Sequence, residues 1–544
     1  MEHTDYILLW GSNAREAHPV MFLHMLQGID NGARMVVVDP RHTLSVDAAH
    51  DHLPLRVGSD IALANAMGHV IIDEGLQHAW FIDHATVGFE DYKRHVAAAT
   101  PEWAETVTSI PAAKIREVAR DFARAERGMV CWTLGITEHH NAVDNVFALI
   151  NLALLTGKVG RAGCGINPLR GQNNVQGGGD MGALPDRYPG FQHVEDAEVR
   201  EKFERAWGMR LQTKRGLHQT DMLHAMETSE IRCLYVLGEN PVQSDADAQH
   251  IEELFRRLDF IVVQDILMTA TAELADVVLP GSASWAESEG TVTNSERRVQ
   301  RCRKALDPPG MARDDIAIMQ DLANRMGVTW SYTSAEQIWD ELRSLSPMHA
   351  GMSYRRLEER NGLQWPCYDE THPGEPVMHW RLWMDPLQGP RVPFIPTEYA
   401  PPVDELTDEY PFTLTTGRRL EFYNTGVQSG LYDSARRQEE ILELNPADAA
   451  ELGIADGALV RVTSRRGSVE LRARADSSLY RGLVFMTLHH PDQTSTNVLT
   501  IHATDPKSGT AEFKASAVRI EPVAEPQAGA GGARIPAAVY KPTE

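Results

Sequence analysis

A chain of 544 residues with 42% hydrophobic content is long enough for three folded units or more, because single domains stop growing near roughly 250–300 residues. Its formal charge of −24 argues against a nucleic-acid partner or an anionic membrane surface, both of which need clustered Lys and Arg. No run approaches the roughly 18 consecutive apolar residues of a transmembrane helix, and Met1-Glu2-His3-Thr4-Asp5 lacks the basic start of a signal peptide, so a cytoplasmic chain without membrane insertion is expected.

The run Tyr6-Ile7-Leu8-Leu9-Trp10 ends in Gly11-Ser12-Asn13 and predicts a buried strand entering a tight turn. A helix follows from about Pro19, and Arg34 to Val38 predicts a second strand stopping at Asp39-Pro40. Asp60 is expected to cap a helix carrying Ile61, Ala64, Met67 and Ile71 at helical spacing. Another helix opens at Ser109 and Pro111 and is expected to close at Gly128. The pattern repeats over Cys233–Leu237, Phe260–Asp265 and Asp276–Pro280, which predicts a second α/β unit. Between Gly389 and Pro411 the prolines suit an extended crossing between domains. Beyond it, alternating runs around Arg465-Arg466-Gly467 predict a hairpin within a β-barrel or compact sheet. The last residues, from Glu525, read as a flexible tail. The five cysteines, Cys131, Cys164, Cys233, Cys302 and Cys367, form no C-x-x-C pair and read as reduced structural thiols.

Two places invite a ligand. Gly11-Ser12-Asn13 and Asp39 stand at strand ends, where doubly wound folds place a dinucleotide's phosphates and ribose; without a G-x-G-x-x-G, an ordinary strand-to-helix turn is the alternative. The loop from Asn167 to Gly182 combines glycines, amides and Arg170. Glycines let backbone amides approach a ligand, and an arginine can fork two donors onto a carboxylate, so an anionic substrate is suggested; a solvated surface loop is the alternative. The pairs His139-His140 and His489-His490 do not point at one ion, since sequence neighbours diverge, and read as cofactor contacts or solvent-facing groups. Cys164 reads as a packing residue.

Taken in order, Trp10-Gly11-Ser12-Asn13, Val38-Asp39-Pro40-Arg41, the Asn167–Asp180 loop, Tyr235 to Pro241, Ala272 to Pro280, Glu289-Gly290-Thr291, Asn294 to Arg298, Thr416-Gly417-Arg418, Asp505-Pro506 and Phe513-Lys514 resemble successive segments of molybdopterin oxidoreductases. The form Pro168-Leu169-Arg170-Gly171-Gln172-Asn173-Asn174-Val175-Gln176-Gly177 is similar to that of formate dehydrogenase catalytic subunits. The resemblance implies two Rossmann-like parallel-sheet units over residues 1–172 and 173–400, a six-stranded double-psi-like β-barrel over 401–525, and a tail over 526–544. It implies a bis(molybdopterin guanine dinucleotide) cofactor carrying molybdenum or tungsten. For one dinucleotide it implies Gly11, Ser12, Asn13, His18, Asp39, His42, Gly58 and Asp60, with Leu134, Glu138 and Gln172 nearby. For the second it implies Asn240, Gln264, Asp265 and Asp315, with Thr416, Gly417, Arg418, His489, Asn497 and Lys514 closing over both. Arg170 corresponds to the residue that orients formate. Formate, carbon dioxide and an electron-transfer subunit or carrier are the implied partners. No metal ligand is expected among these residues.

The sequence departs from the family's pattern in lacking the four-cysteine segment of a [4Fe-4S] cluster and the cysteine or selenocysteine that ligates the metal. A truncation that leaves hydrophobic faces uncovered is therefore expected. A selenocysteine codon read as a stop, a separately encoded N-terminal fragment and a decayed gene are the explanations, in that order. A formate dehydrogenase body is the leading reading; another family member such as a nitrate reductase, or an inactive cofactor-binding fragment, are the alternatives.

Overall fold

In the computed structural model, which describes residues 1–426 and 439–524, the N-terminal unit is an α/β layer on a parallel sheet. Strand β1 (Tyr6–Trp10) is apolar and buried at every position, as a strand covered on both faces must be. Helix α1 (Pro19–Asp30) takes its proline at the first turn, where no N–H is needed. Strands β2 (Arg34–Val38) and β3 (Asp51–Leu53) follow, then helices α2 (Asp60–Asp73) and α3 (Ala112–Arg124). Strand β4 (Gly128–Trp132), helix α4 (Ala142–Leu155) and strand β5 (Gly165–Pro168) complete the sheet. Its order is β3-β2-β1-β4-β5, parallel throughout. The chain leaves β1 in one direction and later returns on its other side, so the ends of β1 and β4 flank a topological switch point, where such folds open a ligand crevice. Alternation along β1 splits two cores. Leu8 and Trp10 face α2, α3 and α4, whereas Ile7 and Leu9 face Phe22 and Met25 of α1.

Two local expectations are corrected. Asp60 is not a cap: Ser59 holds that position without a side-chain bond, and the Asp60 carboxylate instead accepts the Trp10 indole N–H at 2.8 Å. Gly128 does not close a helix but opens β4, where a Cβ would lie 2.6 Å from the Lys158 side chain.

The loop after β5 carries the short helix α5 (Val175–Asp180). Helix α6 (Gln219–Glu227), strand β6 (Cys233–Leu237), helix α7 (Ala248–Arg256), and strands β7 (Phe260–Asp265) and β8 (Val277–Pro280) build the second parallel sheet, of three strands in the order β8-β7-β6. Leu223, Ile251 and Phe255 of α6 and α7 cover Val236, Ile261 and Val263 on one face. The other face leaves Leu237, Phe260 and Val277 exposed by 46%, 43% and 39%. The first sheet, where uncovered faces were expected, is instead covered on both sides. An antiparallel hairpin, β9 (Gly290–Thr293) with β10 (Arg298–Cys302), and helix α8 (Asp315–Arg325) follow.

The proline-rich passage does more than cross between units. Val392–Pro393 pairs with Thr86–Val87, Phe394 enters the first core, and Asn65 Nδ2 donates to the Thr397 carbonyl at 2.9 Å. Strands β11 (Phe412–Gly417), β12 (Ile441–Leu444), β13 (Leu459–Thr463), β14 (Ser468–Ala475), β15 (Leu483–Thr487) and β16 (Ser516–Pro522) close a six-stranded barrel. The expected hairpin is β13 with β14, paired antiparallel with Val462 opposite Val469. The tail over 526–544 lies outside the described residues. No helix of the described residues is long and apolar enough to cross a membrane.

Candidate functional site

A cavity of about 530 Å³ opens where the ends of β1 and β4, the loop before α5 and a barrel segment from Thr415 to Asn424 meet. Of the residues singled out in the sequence, Gly11, Asn13, His18, Asp39, Gly58, Asp60, Leu134, Arg170, Gln172, Thr416, Gly417, Arg418 and Lys514 line it. They come from points as far apart as β1 and the loop before β16, and the fold brings them to one crevice.

The floor is made of backbone. Gly11 has φ +56, and a Cβ there would lie 2.7 Å from the carbonyl carbon of Gly135, so only glycine allows the turn after β1 to pass against the turn after β4. The Gly11 carbonyl accepts from Thr133 Oγ1 at 2.8 Å and from the Gly135 N–H at 3.1 Å. Beside this floor, among the described residues, Ser12 Oγ is buried with no partner in hydrogen-bonding geometry, and the His18 ring lies against the Leu169 and Arg170 backbone without well-formed hydrogen bonds. Such groups cost free energy unless something satisfies them. Burial lowers the His18 pKa and raises those of Asp39 and Asp60. Asp39 accepts the Arg41 N–H at 2.9 Å.

Charges of both signs line the walls. Arg41, Arg170, Arg418, Arg419 and Lys514 line the cavity together with Glu16, Asp39, Asp60 and Glu421, in a chain whose overall charge is −24. Arg41 sits 3.5 Å from the ring centroid of Phe485, on β15. Lys514 Nζ pairs with Glu138 at 2.7 Å and donates to the Thr416 carbonyl at 3.0 Å, which ties the first unit to the barrel.

His139 also reaches the cavity, and it is neither metal-facing nor solvated. Its Nδ1 lies 3.2 Å from Glu512 and its Nε2 lies 3.1 Å from the Gly135 carbonyl. Both neighbours only accept, so both nitrogens must donate, and the ring is an imidazolium. Burial opposes that charge, but the Glu512 carboxylate outweighs it and raises the His139 pKa. Burial would likewise raise Glu512, yet His139 and His140 hold it well below the usual carboxylate range. His140 lends this carboxylate its backbone N–H at 3.0 Å.

Arg170 projects from the loop between β5 and α5. Its Nε donates to Gln176 Oε1 at 3.3 Å, and Ser295 Oγ of the β9–β10 hairpin donates to its carbonyl at 3.2 Å. Among the described residues its guanidinium makes only that one hydrogen bond, which leaves the two terminal nitrogens for a carboxylate. Gln172 Nε2 donates to Asn424 Oδ1 at 2.9 Å, linking the loop to the barrel segment.

The remaining residues lie elsewhere. Ser12 sits behind the floor, His42 lies against His52 at the surface side of β2, and Glu138 stands behind Lys514. Asn240, Gln264, Asp265 and Asp315 gather at the ends of β6 and β7. Gln264 Nε2 donates to Asp315 at 2.6 Å, and Asn240 Oδ1 accepts from Thr271 Oγ1 at 2.8 Å. Burial raises both Asp265 and Asp315. Asn497 reaches the same end from the barrel, donating to the Gln243 and Ser244 carbonyls at 3.0 Å each. His489 Nε2 accepts the Arg419 N–H at 2.8 Å, and burial pushes its pKa down to about 4. Among the described residues no group of three or more His, Cys, Asp or Glu is placed to hold a metal ion. Arg41, Trp132, Thr133, Gly135, Arg419 and Glu512 are site residues the sequence did not single out for this role. For Arg41 and Glu512 the signal is their burial against another unit, which a sequence pattern does not carry.

Comparison with known proteins agrees with this arrangement. Residues 1–325 match the family described as Molybdopterin oxidoreductase, and residues 412–517 match the family described as Molydopterin dinucleotide binding domain. The chain is 43% identical over 528 residues to F420-dependent formate dehydrogenase 2 subunit alpha of Methanococcus maripaludis, covering 96% of this chain and 77% of that one. It is 35% identical over 531 residues to the assimilatory nitrate reductase catalytic subunit of Bacillus subtilis, covering 96% and 75%. Among solved structures, acetylene hydratase from Pelobacter acetylenicus superposes with a TM-score of 0.73 at 20% identity, covering 96% of this chain and 78% of that chain, a likeness of fold alone.

Proposed function

The chain belongs to the molybdopterin oxidoreductase family, and on that premise we propose that it is the cofactor-binding body of a formate dehydrogenase, converting formate to carbon dioxide, a proton and two electrons. The observation that carries this reading is Arg170, a guanidinium held by one nitrogen at the mouth of a charge-lined cavity with its terminal nitrogens open.

The residues present fit a pterin dinucleotide. Phosphates need backbone amides, cations and room, and the crevice offers Gly11, Gly58, Gly135 and Gly417 without side chains, with Arg41, Arg418 and Lys514 around them. The buried His18 ring, which lines the crevice, adds a polar edge toward a ligand. In this reading Gly11, Asn13, His18, Asp39, Gly58, Asp60 and Leu134 hold one dinucleotide. Asn240, Gln264, Asp265 and Asp315 hold the second, and Thr416, Gly417, Arg418, His489, Asn497 and Lys514 close over both.

When bound, a bis(molybdopterin guanine dinucleotide) with molybdenum or tungsten supplies the acceptor for the electrons and hydrogen that leave formate. Arg170 pairs with the carboxylate of formate and orients its C–H bond, which converts an encounter into a fixed approach. The His139 imidazolium sets a positive charge beside the cavity that Glu512 keeps in place. The two electrons would leave to an electron-transfer subunit or carrier.

The test is purification followed by molybdenum, tungsten and guanine-nucleotide analysis, with formate-dependent dye reduction assayed beside nitrate reduction. Arg170→Ala is expected to lower kcat/KM for formate by about a hundred-fold or more, and Arg170→Lys by about ten-fold, since lysine keeps charge but not the fork. Unchanged formate turnover in Arg170→Ala would remove the assigned role. Nitrate reduction in preference to formate oxidation would move the chain beside its Bacillus relative.

A further inference from the structure

Behind Arg170 stands a glutamine backed by a buried carboxylate. Gln176 gives its oxygen to Arg170 Nε at 3.3 Å and its nitrogen to Asp180 Oδ1 at 2.9 Å. Asp180 is 1% exposed. Its other oxygen lies beside the Trp365 indole without a partner in hydrogen-bonding geometry. The charged groups facing it are Arg170 on its own loop and Arg297 on the turn between β9 and β10, and Trp365 closes the third side uncharged.

The backbone around this chain of contacts is pinned. Asn174 Oδ1 accepts the Thr293 N–H at 2.9 Å, Ser295 holds the Arg170 carbonyl, and the Asp180 carbonyl accepts the Gly190 N–H at 2.7 Å. At Gly177 a Cβ would fall 2.0 Å from Asn174 Oδ1. With the backbone held, the direction of the Arg170 side chain depends on the Gln176 amide, and an amide has two orientations. Only one presents oxygen to Arg170. An ionised Asp180 selects it, because a carboxylate can only accept and must face the NH₂ group.

We infer that Asp180 and Gln176 are positioning residues for Arg170: the buried carboxylate fixes the Gln176 amide, and the amide aims the guanidinium at a carboxylate substrate in the cavity. The inference rests on the formate reading of that cavity. Burial pushes the Asp180 pKa up to about 6, so keeping it ionised at neutral pH works against stability, a cost that packing alone does not account for. Protonation removes a charge-assisted hydrogen bond and the Coulomb attraction to Arg170, the stronger class of contact. Formate stays ionised over the same range, so a pH dependence reports the protein.

Titration calorimetry of sodium formate and of sodium nitrate into the purified protein, from about pH 5 to about pH 8, reads this directly. Wild-type formate Kd is expected to rise about five-fold as the pH falls through about 6. Asp180→Asn should remove that pH dependence, and Gln176→Leu should remove it and leave binding weak at every pH. In turnover, KM should rise by more than kcat falls in both variants. Thermal unfolding at neutral pH checks that each variant is folded, and the wild-type titration stands if one is not. A wild-type Kd that is flat across this range, or an Asp180→Asn protein that keeps the wild-type dependence, overturns the relay and leaves the formate reading intact. The same dependence seen for nitrate and not for formate sustains the relay and overturns formate as substrate. Binding of neither anion at any pH overturns both.

Discussion

The two parallel sheets start from the same kind of apolar run and end in different electrostatic worlds. The first has five strands, covered by α1 on one face and by α2, α3 and α4 on the other. It meets the barrel through charge, in the His139–Glu512 and Glu138–Lys514 pairs. The second has three strands and one covered face. It meets the barrel through hydrogen bonds, from Asn497 Nδ2 to two carbonyls, from Thr220 Oγ1 to the Gly509 carbonyl at 2.9 Å and from Gln243 Nε2 to the Asp492 carboxylate at 2.6 Å. The His139–Glu512 pair at the covered sheet is buried, with side-chain exposures of 3% and 0%, and at low dielectric such fixed charges act strongly. The cavity with Arg170 accordingly lies at the covered sheet. A dry scaffold and a charged seam go together, and each can be broken separately.

The seam should break hardest. Glu512 has no exposed side-chain surface, and Glu512→Gln strands the buried His139 cation, so a loss of about 3–5 kcal/mol is expected from chemical denaturation. The pH dependence has a definite sign. His139 is raised above its ordinary value of 6.5, so its contribution is complete below that value and is lost as pH climbs through the folded pKa. Glu512 is lowered from 4.5, so its contribution is complete above that value and is lost as pH falls toward the folded pKa. Wild-type stability over the variant should therefore peak between those ordinary values and shrink on the alkaline side. An equal difference at all pH values would mean that His139 is not the charged partner. Below this comes the scaffold: Leu8→Ala empties a site with no exposure and should cost about 3 kcal/mol by the same measurement.

These contrasts also show which parts of the molecule could be read from its sequence. β1, β2, β6 and β7 announce themselves as apolar runs ending in turn residues, and both Rossmann-like sheets follow from them. β4 does not, because Gly128 reads as a helix stop; its reason for being glycine is Lys158, whose side chain would meet a Cβ at 2.6 Å. The closed barrel depends on pairings such as β11 with β15, between segments far apart in the chain and with no local mark. In the site, Arg170 and Gln172 stood out because their loop is compositionally odd. Arg41 looks like any exposed arginine after a proline, yet it is buried against Phe485 of the barrel. Glu512 is equally ordinary until the fold places two histidines around it.

The smallest effect is the most direct check on the contrast between the sheets. Leu237 ends β6 as Trp10 ends β1, but its residue is 46% exposed whereas Trp10 shows no exposure. Leu237→Ser deletes apolar surface that water already reaches over about half its area, and it leaves no closed cavity. The transfer loss is small and the cavity loss absent, so denaturation should change by no more than about 0.5 kcal/mol. A cost near that of Leu8→Ala would show that this face is covered in solution by something that excludes water as well as α1 does for the first sheet. The two sheets would then differ in what covers them and not in whether they are covered.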